Sequence, residues 1–158
     1  MLGSQKSSQE MAPVRPVERH LIAATKPPLS CLLIDDNQFD CLRLSRDLKK
    51  LDTPTELTTA TTVEDAYEKL AARRYGLLLV DYYLPDGDGL EIANWLLAGA
   101  SPNANTPRIL LTGEDDPKVH QRARLLGYST CLSKHLLSLP RLETAVAEAT
   151  CEYAGQSS

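Results

Sequence analysis

From residue 30 onward the chain alternates short, apolar runs with amphipathic stretches, and that alternation limits the fold more than any other feature. The runs are Cys31–Ile34, Leu57–Ala60, Leu77–Val80, Ile109–Leu111 and Thr130–Leu132. Three of the five are continuously apolar, as strands buried on both faces of a parallel sheet are. Helical patterns lie between them. Val63, Ala66, Tyr67, Leu70 and Ala71 form an i, i+3, i+4, i+7, i+8 stripe, opened by Thr62 with Asp65 three residues later. Asp116-Pro117 reads as a cap and first-turn proline before Val119, Ala123 and Leu126, with Gly127 as the stop. A last helix is predicted from about Leu139, with Leu142, Ala145, Val146 and Ala149 on one face. The order βαβαβαβαβα predicts a doubly wound α/β domain: five parallel strands, right-handed crossovers and helices on both faces. Ala98–Thr106 reads as a loop before the fourth strand. Trp95, in the crowded Leu90–Leu97 helix, reads as core filler.

Composition removes several alternatives. No apolar run approaches the ~20 residues of a membrane helix, and Leu21-Ile22-Ala23-Ala24 is too short for a signal-peptide core. Cys31, Cys41, Cys131 and Cys151 lie far apart with no Cys-x-x-Cys pair, which argues against a zinc ribbon or disulfide scaffold and for a reducing cytoplasm. Residues 1–29 are rich in Ser, Gln and Pro and read as a tail, with His20 in no catalytic context. Residues 30–158 carry thirteen basic and nineteen acidic groups, a net −6. So acidic a surface is poor at gathering phosphates, so neither nucleic acid nor membrane is expected as a partner.

Ligands of an open α/β sheet bind beyond the carboxyl ends of its strands. Asp35 and Asp36 follow the first apolar run, Asp81 the third, Thr112 and Gly113 the fourth, Ser133 and Lys134 the fifth. Three carboxylates, a hydroxyl and an ammonium therefore converge on one edge. Close carboxylates repel and take up protons unless a cation sits among them. Oxygen donors without histidine or thiolate select a hard ion, Mg²⁺ or Mn²⁺. With Lys134 and Thr112 added, the set would neutralise a transferring phosphoryl group, and a carboxylate could be its nucleophile.

These residues resemble a family, the receiver domain of two-component response regulators, whose fold is flavodoxin-like or CheY-like. The matching blocks are Leu32–Asn37, Leu78–Gly89, Ile109–Gly113 and Leu132–Lys134, spaced 45 residues from Asp36 to Asp81, 31 to Thr112 and 22 to Lys134. The resemblance implies a receiver domain over 30–152 with tails at 1–29 and 153–158. It implies Asp81 as phosphoacceptor, supplied by a phosphohistidine on a sensor histidine kinase or histidine phosphotransfer protein. It further implies Mg²⁺ held by Asp36 directly, Asp35 largely through water, Asp81 and the backbone carbonyl of Tyr83. Thr112 resembles the switch hydroxyl and Lys134 the phosphoryl-pairing lysine. Gly113 would leave phosphoryl access open, and Gly87 and Gly89 would turn the chain into the third helix.

Two positions depart from the family pattern. Cys131 stands where many receivers carry a rotating aromatic, and His135 where many carry proline. Glu114 and Tyr83 resemble positions that set phosphoryl lifetime, while His135 reads as a solvated loop histidine, with tuning of dephosphorylation as the alternative. The reading is a stand-alone switch, autocatalytic rather than an enzyme in the usual sense, whose output is contact with a downstream protein. Arg122, Arg124, Leu125 and Tyr128 are its candidate surface. A constitutive interaction module that no longer signals by phosphorylation is the alternative. A metal-dependent phosphatase of the dehalogenase class is disfavoured, because Asp35-Asp36-Asn37-Gln38 lacks its Asp-x-Asp pattern.

Overall fold

The computed structural model describes residues 27–99 and 101–157. Most of the tail assigned to 1–29 lies outside them. The main sheet contains β1 (Leu29–Ile34), β2 (Thr55–Ala60), β3 (Leu77–Asp81), β4 (Arg108–Thr112) and β5 (Thr130–Ser133), all parallel, in the spatial order β2-β1-β3-β4-β5. The helices are α1 (Gln38–Lys49), α2 (Val63–Ala72), α3 (Gly89–Leu97), α4 (Pro117–Leu125) and α5 (Leu139–Ser157). A two-stranded antiparallel ribbon, Tyr83–Leu84 against Gly87–Asp88, sits between β3 and α3. The expected doubly wound five-stranded fold is therefore the observed one.

Alternation along the central strands sorts their side chains into two core layers. Leu32, Ile34, Leu78, Val80 and Leu110 meet α2, α3 and α4 through Ala66, Leu70, Ile92, Leu96 and Ala123. Cys31, Leu33, Leu77, Leu79, Ile109 and Leu111 meet α1 and α5 through Leu44, Leu48, Leu142, Val146 and Ala149. Both faces are covered, which is why the runs at β1, β3 and β4 are continuously apolar. β2 lies at the edge and keeps Thr and Glu.

The helix starts follow their capping chemistry. Asn37, Thr62, Asp88 and Asp116 are the N-caps of α1 to α4, and each side chain accepts a backbone N–H from the first turn. Gly127 ends α4 at φ +89°, with Tyr128 N–H returning to the Ala123 carbonyl at 3.0 Å. The loop before β4 is ordered by one buried side chain. Asn103 accepts from Tyr75 N–H at 2.7 Å and from the Thr106 hydroxyl at 2.9 Å, and its amide donates to the carbonyls of Leu70 and Arg73 at 2.8 and 2.7 Å.

Several expectations need correction. The backbone of 153–157 is helical rather than a tail; the stretch after Ala149 holds no proline to stop α5. Tyr128 is not surface: it is buried in the α2–α4 layer, and its hydroxyl donates to the Gly89 carbonyl at 2.6 Å. Gly87 and Gly89 lead the chain into α3 as expected, and they do so without left-handed backbone, since only Gly99 and Gly127 have positive φ among the described residues. Gly89 is needed for space, because a Cβ there would lie 2.7 Å from the Asp81 carbonyl oxygen and 2.9 Å from Leu110. Trp95 is half-buried and stacks on Tyr67 with ring centroids 4.4 Å apart, packing against the core without filling it.

Candidate functional site

Strand register places the polar residues together. Ile34 pairs with Val80, so Asp35 emerges beside Asp81. Asp81 pairs with Leu111 and Thr112 with Ser133, so Thr112 and Lys134 leave the same edge one residue later. The order reverses between β1 and β3, which opens the crevice where such sheets bind ligands.

Asp35 is completely buried and Asp81 is 7% exposed, while Asp36 faces solvent. Each offers a carboxylate oxygen, and the three oxygens lie within 4.8 Å of one another. This donor set contains only hard oxygens, and it fits a small divalent cation of the Mg²⁺ type. Asp35 is held by Asn37 N–H, which donates to Oδ1 at 2.9 Å. The Lys134 ammonium donates to Asp35 Oδ2 at 2.8 Å, Asp40 Oδ2 at 2.9 Å and Asp81 Oδ2 at 3.0 Å. Burial pushes the Asp81 carboxyl up to about 6; Lys134 pulls against that shift and Asp35 adds to it. Burial works against the Lys134 ammonium, yet its hydrogen bonds to Asp35, Asp40 and Asp81 prevail and raise its pKa.

Thr112 is buried beside this cluster, but its hydroxyl is turned away. It donates to the Glu114 carbonyl at 2.9 Å and accepts Glu114 N–H at 3.1 Å, a closed local turn. The Glu114 residue itself is exposed. His135 is exposed as well, and its Nε2 lies 3.7 Å from where a Cβ on Gly113 would stand, so the open side of Gly113 faces the imidazole. Tyr83 begins the ribbon two residues past Asp81, with its ring exposed and tilted against Tyr82 at 4.7 Å. Cys131 is partly buried against the α2–α4 layer, and burial raises its thiol pKa. It does not join the acid cluster.

Sequence reasoning missed Asp40 and Arg43. Asp40 reaches Lys134 from the first turn of α1, and Arg43 donates to the Lys134 carbonyl at 3.1 Å. The usable signal was Asn37, a capping residue directly after Asp36: a helix starting there brings position 40 round towards the strand ends. On the opposite side of the sheet, Arg122, Arg124 and Leu125 are exposed on α4 as expected, Leu125 at 78%. No helix among the described residues is long and apolar enough to cross a membrane.

Comparison with known proteins agrees with this geometry. The family model described as the response regulator receiver domain matches residues 31–147. The sensor protein EvgS of Escherichia coli (strain K12) is 29% identical over 120 residues, covering 76% of this chain and 10% of that protein. The chain thus spans about a tenth of the length of the curated relatives it matches. Among solved structures, the receiver domain of an HD domain-containing protein from Pseudomonas fluorescens Pf-5 superposes with TM-score 0.71 at 28% identity, covering 82% of this chain and 99% of that one. A receiver domain protein (CheY-like) from Methanospirillum hungatei JF-1 gives TM-score 0.70 at 18% identity, with 82% and 99% covered. The phosphorylated cyanobacterial phytochrome response regulator RcpA gives 0.64 at 22% identity, with 77% and 91% covered.

Proposed function

The chain belongs to the response regulator receiver domain family, and from that premise we propose that Asp81 is its phosphoacceptor. The donor is a phosphohistidine on a sensor histidine kinase or histidine phosphotransfer protein, and the phosphorylated form is read by a downstream protein in the cytoplasm. The observation that carries this reading is the meeting of three carboxylate oxygens within 4.8 Å with an ammonium 3.0 Å from Asp81.

An Asp81 carboxylate oxygen attacks phosphorus, the new O–P bond forms as the P–N bond breaks, and the imidazole leaves. The surrounding residues stabilise the charge that moves. Asp35, Asp36 and Asp81, with the Tyr83 carbonyl, would hold Mg²⁺ or Mn²⁺. When bound, that ion supplies positive charge to the phosphoryl oxygens and relieves the repulsion among the carboxylates. Lys134 pairs with a phosphoryl oxygen as a point charge. Thr112 donates its hydroxyl to the phosphoryl group after leaving the Glu114 carbonyl, an exchange of one hydrogen bond for a charge-assisted one. His135 and Glu114 stand where they would influence the access of water.

The test is labelling with acetyl phosphate, with and without Mg²⁺, read by intact mass beside Asp81→Asn. The expected result is a Mg²⁺-dependent gain of one phosphoryl group that the variant lacks. Absence of labelling together with absence of Mg²⁺ binding would replace this reading with the constitutive module.

A further inference from the structure

An ammonium has three N–H donors and accepts nothing. All three of Lys134's are in use, at 2.8, 2.9 and 3.0 Å to Asp35, Asp40 and Asp81. Asp35 and Asp81 belong to the three-carboxylate cluster; Asp40 does not, and it comes from α1. Arg43, one turn further along α1, donates to the main-chain carbonyl of Lys134 at 3.1 Å and lies 3.8 Å from Asp40. One helix therefore grips this lysine at both its ammonium and its backbone. We propose that Asp40 is a positioning residue that withholds the Lys134 ammonium from an incoming phosphoryl group and so slows phosphorylation of Asp81.

The inference rests on the reading of Asp81 as phosphoacceptor. For Lys134 to meet a phosphoryl oxygen, one of its three bonds must open. Asp35 cannot follow it: the residue is completely buried and its other oxygen is pinned by Asn37 N–H at 2.9 Å. Asp81 is the group being modified. That leaves the bond to Asp40, whose side chain is 23% exposed and can turn to water. Until it turns, a full negative charge occupies the lysine. After it turns, that charge still faces an anionic group across a short gap. Both effects oppose transfer, and neither belongs to an uncharged side chain of the same shape.

The experiment compares acetyl-phosphate labelling rates, in Mg²⁺, of the wild type, Asp40→Asn and Asp40→Glu. Urea midpoints establish that each variant is folded. Asp40→Asn is expected to label at least threefold faster, and Asp40→Glu, which restores the charge, to return towards the wild-type rate. A structural tether alone would not give this pattern, since a loosened α1 affects both variants in the same direction. A wild type that labels while Asp40→Asn labels equally fast or more slowly overturns the brake and leaves Asp81 standing as acceptor. A wild type that takes neither label nor beryllofluoride, the latter followed by tryptophan fluorescence, overturns the acceptor reading and the brake with it.

Discussion

Replacing Asp81 by asparagine is expected to stabilise the metal-free protein, by an amount that depends on pH in a calculable way. The Asp81 carboxyl is raised from 3.8 to about 6 because burial penalises its charged form more than Lys134 favours it. Between those two values the folded state binds more protons than the unfolded state, so wild-type stability falls as pH rises through that window. At ~1.4 kcal/mol per unit, the ionised carboxylate costs the fold about 3 kcal/mol at pH 7.5. At pH 4, close to the unfolded-state value, the same calculation leaves well under about 1 kcal/mol. Asparagine keeps the shape and carries no charge, so Asp81→Asn should recover most of each figure. With a urea slope of about 1.5 kcal/mol per molar, the midpoint shift is ~2 M at pH 7.5 and a few tenths of a molar at pH 4. The assay is urea unfolding of both proteins in chelator at the two pH values. Taking the difference between them cancels the titration of groups that do not interact with Asp81. A variant less stable than wild type at pH 7.5, or a gain equal at both pH values, would refute the argument that burial of this carboxylate dominates.

Three further outcomes are expected. Mg²⁺ should raise the wild-type urea midpoint and do so much less in Asp36→Asn, because ligand binding to the folded state alone is stabilising; equal shifts would remove Asp36 from the metal site. Asn103→Ala should cost about 2–4 kcal/mol in urea unfolding, since it strands the buried Tyr75 N–H and the Arg73 carbonyl, while the Leu70 carbonyl keeps the Ser101 hydroxyl; a loss below about 1 kcal/mol would mean that water replaces the side chain. Gly89→Ala should cost at least about 2 kcal/mol for a Cβ forced to 2.7 Å from a carbonyl oxygen. Gly113→Ala, with only an imidazole at 3.7 Å, should cost less than about 1 kcal/mol; equal losses would contradict the steric account.

The fold was legible because its signal is one of burial. β3 and β4 are buried along their whole length, so apart from Arg108 at the start of β4 their sequences are apolar until they end in polar residues where the sheet ends. The acid cluster was legible for the same reason, since strand register carries Asp35, Asp81 and Lys134 to one edge. What escaped the sequence depends on direction rather than composition. Tyr128 follows a helix-stopping glycine and resembles surface until the Gly127 turn swings it under α3. Asp40 is one acidic residue among many on an acidic chain, and only its helical phase brings it to Lys134. The hydroxyl of Thr112 could not be oriented from sequence, because its two partners are backbone groups of Glu114 rather than any charged side chain. Gly87 and Gly89 signal a constraint, but sequence does not distinguish a φ requirement from a steric one.

The segment between β3 and α3 has a consequence for how the sequence can vary. Asp86 accepts from Val63 and Glu64 N–H at 2.7 and 3.1 Å, bonds that hold its carboxyl below the usual range, and so closes the start of α2. Two residues later Asp88 caps α3, and Gly89 lies against the Asp81 carbonyl. Loops ordinarily accept insertions and deletions with little harm. Here the residue count from 81 to 89 is fixed at both ends and in the middle. Natural variation should exchange exposed side chains such as Tyr83 and Pro85 freely while leaving the length unchanged, because one added residue would displace two helix starts together.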